Sequence, residues 1–306
     1  MTLLTRVAAA ALSIALAVPA LAEPLAPPAI RAAAGELAAL LQRDYLFPDV
    51  GRRYAAALRE RAAAGAYDGM GDPAALAAAW EGELRAIHAD AHLRVLATDP
   101  AAGQPAAMQR LHQELKAFGE ARWLADGVAY LPIQLLPGTE EAVAQMAAFL
   151  DEYAGAHTLV LDLRACLGGA LPVMDELFAR LYGNPVRLVR MDTRERSNDT
   201  VQAMFDELPS LRREPAPAGI RRYDHWAAPR DPAGPWAKAK VYLLTDVTAS
   251  ACEHLTYALK LTGRATQVGA TTRGAGHYGG FNRFGRQFEV FVPVGRTYDV
   301  ATGKGW

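Results

Sequence analysis

The chain has 306 residues, 51% of them hydrophobic, and a formal net charge of −1 from 32 Lys+Arg and 33 Asp+Glu. That length and apolar content can bury a large core, in one large domain or two smaller ones. The near-neutral, interspersed charge excludes a nucleic-acid footprint and an acidic tail, so no nucleic-acid partner is expected.

Arg6 precedes an apolar run from Val7 to Val18, followed by Pro19-Ala20-Leu21-Ala22. A charged start, a short apolar middle and a small-x-small end predict a secretory signal over residues 1–22. The run is short for a membrane span; an uncleaved anchor is the alternative. No second long apolar run follows, so a periplasmic or secreted protein is expected, without stable membrane insertion after cleavage.

Residues 23–118 read as an N-terminal helical domain. Ile30, Leu37, Leu40 and Leu41 mark one amphipathic helix, blocked by Pro48. Val50, Tyr54 and Leu58 mark a second helix. Asp72-Pro73 opens a third, with Leu76, Trp80, Leu84 and Ile87 on one side, reaching about His88-Ala-Asp-Ala-His92. A fourth helical run carries Leu111, Leu115 and Phe118.

Residues 119–306 change pattern. Asp126-Gly127 between Trp123-Leu124 and Val128–Ile133 signals a hairpin. Thr139 starts a helix with Val143, Met146 and Phe149 inward. Thr158–Leu163 reads as a buried strand, followed by a helix from Leu171 to Tyr182. Proline-rich residues 183–238 read as a long surface excursion. The strand pattern resumes at Val241–Thr245, then come a helix from Ser250, a strand over Ala265–Gly269, a glycine-rich loop over Gly274–Gly280 and a strand pair near Gln287–Val294. Alternating strands and helices predict an α/β fold: a helical bundle followed by a mostly parallel sheet flanked by helices.

Two turns stand out, Cys166–Ala170 and Asp246–Cys252. Both follow a predicted parallel strand and lead into a helix, and ligands bind at that edge of open α/β sheets. Ser250 stands at a helix N-terminus, where free amides and the helix dipole can stabilise an oxyanion; the plain alternative is a helix cap. If the two strands are neighbours, the Gly168-Gly169 and Ala251 amides converge beside the Ser250 hydroxyl. The alternative for the glycines is tight packing or positive φ. Glu253, one turn into the helix, is explained equally by the dipole and by catalysis. The only cysteines, Cys166 and Cys252, can bridge in an oxidising compartment or remain two buried thiols. His88 and His92 have i, i+4 spacing, but Ala-Asp-Ala between them is not the zinc-peptidase pattern and no third ligand is evident. No metal and no cofactor are expected.

Asp162-Leu-Arg-x-x-x-Gly-Gly, Thr248-Ala-Ser-Ala-x-Glu253 and Gly263-Arg-Ala-x-x-Val-Gly269 resemble the C-terminal-processing (tail-specific) serine peptidases. The branch resembled includes interphotoreceptor retinoid-binding protein and the tricorn core, and Tyr45-Leu-Phe-Pro-Asp49, Gly65-Ala-Tyr-Asp68 and Asp90-Ala-His-Leu93 resemble its helical front end. The resemblance implies a ClpP/crotonase-like core without a PDZ-like domain. It implies Ser250 as nucleophile, Gly168 and Ala251 amides as the oxyanion hole, and His92 as base, with His277 as alternative base or substrate contact. The main-branch lysine is absent from Thr271–His277, and Ala270 stands where Glu is usual. Relatives continue past the position of Trp306 with Glu-Gly-x-Gly-Val-x-Pro-Asp, whose glutamate supports the histidine in tricorn-like sites; the chain is expected to be truncated relative to them. The expectation is an exported serine peptidase acting on peptide or protein substrates through an acyl-enzyme. The alternative is a non-catalytic lipid- or peptide-binding protein on the same scaffold.

Overall fold

The computed structural model describes residues 24–98, 115–195, 200–230 and 234–306. The expected signal segment, and Leu111 of the expected fourth helix, lie outside the described residues. Leu115 and Phe118 are not helical; Phe118 instead forms a β-bridge with Ile133.

Three helices open the chain: α1 (Pro27–Asp44), α2 (Pro48–Ala63) and α3 (Pro73–Ile87). Each begins with proline in its first turn, where a missing N–H costs nothing. Asp72 caps α3 by accepting the Ala74 and Ala75 amides. Helix α3 stops before His88, so His88 and His92 do not share a helix face.

Strands β2 (Arg122–Ala125) and β3 (Val128–Pro132) form the expected hairpin. Helix α4 (Glu140–Glu152), capped by the Thr139 hydroxyl, leads to β4 (Thr158–Asp162) and α5 (Pro172–Leu181). Strand β8 (Lys240–Thr245), helix α7 (Ala251–Leu261) and β9 (Thr266–Gly269) complete this unit. Its sheet has the order β2-β3-β4-β8-β9, parallel except for the hairpin pair. Asp162 lies opposite Leu244, so the carboxyl ends of β4 and β8 are adjacent, as convergence of the two turns requires.

The expectation of one mostly parallel sheet flanked by helices needs correction, because a second, antiparallel sheet is present. It contains β1 (Arg94–Ala97), β5 (Val186–Arg194), β6 (Leu211–Glu214), β7 (Ile220–Ala227), β10 (His277–Phe284) and β11 (Phe288–Tyr298), with β10 also paired to β11. Residues 183–238 are therefore not a surface excursion; they supply β5–β7 and the short helix α6 (Thr200–Asp206), and bury Tyr223, Ala227 and Trp236. Their charges pair across the strands. Arg190 faces Asp224 and Asp192 faces Arg222 in register, each pair joined by two hydrogen bonds. The loop expected over Gly274–Gly280 becomes strand from His277 onward.

Two cores result. One packs α4, α5 and α7 with β3, β4 and β8, and takes in Leu188, Val189 and Met191 of β5. The other sets Ile30, Leu37, Leu41 and Trp80 against Phe284, Phe288, Val290 and Val292. Helical front end and C-terminal hairpin thus share one apolar interior. Among the described residues no helix is long and apolar enough to cross a membrane.

Candidate active site

Ser250 sits between β8 and α7 with φ 55° and ψ −124°, the one non-glycine residue with positive φ among those described. Such a backbone costs about 1–3 kcal/mol and persists only where neighbours over-determine it. Glu253 does so. Its carboxyl group is buried and accepts three amides: Ser250 at 2.8 Å, Gly274 at 2.6 Å and Ala275 at 2.8 Å. One side chain therefore fixes both the serine turn and the approach to β10.

The two distinctive turns are fastened together. Val247 N–H donates to the Arg164 carbonyl, Ala249 N–H to the Cys166 carbonyl, and the buried Thr248 hydroxyl to the Leu163 carbonyl. Cys166 and Cys252, left open by sequence, form a disulfide across the same junction with Cα atoms 6.1 Å apart. Behind the turn, Asp162 accepts from Arg164 and from the Tyr130 hydroxyl. The Arg164 bonds outweigh burial and hold its carboxyl at about 2.

Gly168 and Gly169 both have positive φ, 118° and 141°. A Cβ on Gly168 would lie 2.7 Å from Ser250 Cβ and 3.1 Å from Ser250 Oγ. The glycine is what allows the serine this close. Leu136 N–H donates to the Gly168 carbonyl and Ala170 N–H to the Leu136 carbonyl, so the Gly-Gly strip is pinned on one side. Because the peptide is planar and trans, Gly169 N–H points away from Leu136. The amides of Gly168, Gly169 and Ala251 find no acceptor among the described residues. Gly169, Ser250 and Ala251 line one pocket of about 130 Å³, walled by Leu171, Met191, Phe205 and Tyr278.

His92 and His277 line the same pocket. No hydrogen bond joins either ring to the Ser250 hydroxyl among the described residues. His92 follows α3 in an irregular segment and stacks on Phe291, centroids 5.3 Å apart at 26°. Its Nδ1 is buried without a partner among the described residues. Burial lowers its pKa below the usual imidazole value, against the opposing pull of Asp90 and Glu253. His277 begins β10 and its Nδ1 lies 2.9 Å from Asp90 Oδ2. Asp90 also accepts from the Tyr45 hydroxyl at 2.8 Å and the His92 amide at 3.0 Å. Burial alone would raise the Asp90 carboxyl, but these bonds, led by His277, hold it below its usual range.

Residues scattered over the chain are brought to one pocket. Ser250, Ala251, His92, His277 and the Gly-Gly strip line or adjoin it. A family model described as peptidase family S41 matches residues 127–304. The chain belongs to peptidase family S41. Residues 8–118 match a second model, the N-terminal domain of this peptidase in eukaryotic IRBP. Among solved structures, the fold is similar to a lipoprotein from Streptococcus agalactiae, with TM-score 0.52 and 12% identity over 90% of this chain and 88% of that one. It is also similar to the photosystem II D1 C-terminal processing protease, with TM-score 0.51 and 16% identity over 89% of each chain. At these identities the likeness concerns the fold; the family model carries the assignment to serine-type peptidases.

Sequence reasoning did not find the link from Asp90 to His277. The two residues are 187 positions apart, so no local pattern connects them. It also left Glu253 between two roles, and the three amides it collects show that it braces the turn.

Proposed function

We propose that this S41 chain is an exported serine peptidase in which Ser250 is the nucleophile and His92 the general base. The observation that carries the reading is the strained backbone of Ser250, set against amides that find no acceptor among the described residues, in a pocket it shares with an imidazole. In the proposed reaction Ser250 Oγ attacks the scissile carbonyl carbon while its proton passes to His92. The Ala251 and Gly168 amides, with Gly169 beside them, stabilise the tetrahedral oxyanion. His92 returns the proton to the departing amine, leaving an acyl-enzyme that water hydrolyses by the reverse proton path. Burial keeps His92 neutral at pH 7, the form a base needs.

One contact favours a second assignment of the base. His277 Nδ1 lies 2.9 Å from Asp90 Oδ2, so a buried carboxylate orients the ring and Nε2 is the nitrogen left for the base. Peptide hydrolysis by His92→Ala and His277→Ala variants separates the two. The base variant loses at least about a thousandfold in kcat, and the other retains most of its rate. Ser250→Ala must abolish turnover in either case; residual wild-type turnover in that variant removes the proposal.

The Cys166–Cys252 disulfide supports export, since such bonds persist in oxidising compartments. Sequencing of the exported protein is expected to begin at Glu23. The match to a peptidase family model favours hydrolysis over the lipid- or peptide-binding alternative.

A further inference from the structure

Next to the pocket lies a chain of polar groups that the proposed reaction does not use, buried except for Asp175, whose side chain is 21% exposed. The Ser210 hydroxyl donates to Asp175 Oδ2 at 2.8 Å, and Asp175 Oδ1 lies 2.7 Å from His225 Nε2. His225 Nδ1 lies 2.9 Å from His254 Nε2. His225 is wholly buried and His254 is 4% exposed, yet His254 lines the pocket beside Ser250. His254 stands one turn along α7, its amide bonded to the Ser250 carbonyl. Its Nδ1 makes no hydrogen bond among the described residues and is not sealed from solvent space. Phe178 packs edge-on against His225 and Trp306 against His254, which holds the ring planes.

The order of donors in this chain follows from its acceptor end. A carboxylate only accepts, and Asp175 takes Ser210 O–H on one oxygen and His225 Nε2–H on the other. The order that continues from this end has His254 donate Nε2–H to His225 Nδ1. In that order the remaining nitrogen, His254 Nδ1, carries a lone pair, and His254 lines the pocket. Two adjacent imidazoles facing one carboxylate therefore end in a hydrogen-bond acceptor.

We infer that His254 is a specificity-determining residue, whose Nδ1 accepts a hydrogen bond from a substrate side chain that is apolar along its length and bears an O–H or N–H at its end. This rests on the peptidase reading above and names the substrate class of that pocket. The walls are Leu171, Met191, Phe205 and Tyr278, so a tyrosine fits the combination, and a phenylalanine leaves the acceptor unpaired. Asp175 and His225 act through His254 as positioning residues, by fixing its tautomer.

The test uses the folded wild-type chain at pH 8, above the ordinary imidazole range. Fluorogenic peptides are compared in pairs that differ only in the residue before the scissile bond, tyrosine against phenylalanine and threonine against valine. The donor-bearing member of at least one pair is expected to exceed its partner in kcat/KM by about tenfold or more. His254→Phe should level that ratio to within about twofold while a fluorophosphonate still labels Ser250. Wild type that is labelled at Ser250 but treats both members of each pair alike overturns this inference and leaves the peptidase reading standing. Wild type that is not labelled removes both. Should His254→Phe fail to fold, ¹⁵N-histidine NMR of wild type decides. Both rings are expected as Nε2–H tautomers, and a proton on His254 Nδ1 overturns the inference.

Discussion

Replacing Gly168 by alanine perturbs the proposed site by one methyl group. The residue has φ 118°, a region that side chains other than hydrogen rarely enter. That alone costs about 1–3 kcal/mol. The new Cβ would meet Ser250 Cβ at 2.7 Å and Oγ at 3.1 Å, with Ala251 N at 3.4 Å. Ser250 cannot retreat freely, because Glu253 grips its amide and the disulfide and Thr248 grip the turn. The strain must therefore move the nucleophile, the Gly-Gly strip or both. Misplacing one oxyanion donor costs about 10²–10³ in rate. Gly168→Ala should therefore label with a fluorophosphonate at least about a hundredfold more slowly than wild type, and melt at a lower temperature. Gly219→Ala is the control, since Gly219 also has positive φ, 80°, but nothing within 4 Å of its added Cβ. It should lose stability by a similar backbone cost and keep the wild-type labelling rate. Equal labelling rates for Gly168→Ala and wild type would refute the reasoning.

Glu253→Gln supplies only one carbonyl oxygen where three amides now converge, so at least one buried N–H faces an NH₂ group; unfolding should become easier by about 1–3 kcal/mol, read from chemical denaturation, with activity falling in parallel. Reducing Cys166–Cys252, which closes a loop of sequence separation 86, should lower stability by about 4–5 kcal/mol on a chain-entropy basis and slow Ser250 labelling, as followed by melting with and without reductant. The pH dependence follows from His92. Its folded pKa lies below the unfolded value of 6.5, so the unfolded chain binds the proton first and the His92 contribution to stability falls as pH drops below 6.5. The acid limb of kcat/KM should lie below pH 6.5 in wild type; a limb above 6.5 contradicts His92 as a buried neutral base. Tyr45→Phe removes one bond to Asp90 and should leave labelling within about tenfold if His92 is the base, but depress it further if the Asp90–His277 pair is.

Much of the candidate site was legible in the sequence, because its turns are local patterns. A short apolar strand, small residues and a serine before an amphipathic helix mark the Ser250 turn, and Gly168-Gly169 mark its neighbour. The hairpin at Asp126-Gly127 and the caps Asp72 and Thr139 were equally local. The antiparallel sheet was not legible. Strands β5 and β7 carry arginines and aspartates that read as solvent-facing until each meets its opposite number across the ladder. Prolines at 209, 215, 217 and 229 bracket β6 and β7 without interrupting them, so proline density misled where it in fact marks connections. The contacts Asp90–His277 and Asp175–His225–His254 join residues remote in sequence, and only the packing of two cores brings them together.

Peptide-mapped mass spectrometry of protein treated with a fluorophosphonate tests the proposed role of Ser250 most directly. The adduct is expected on the peptide bearing Ser250, at one equivalent per chain, and nowhere in the Ser250→Ala variant. An unmodified Ser250 in folded wild-type protein, or the same adduct on another residue, would contradict it.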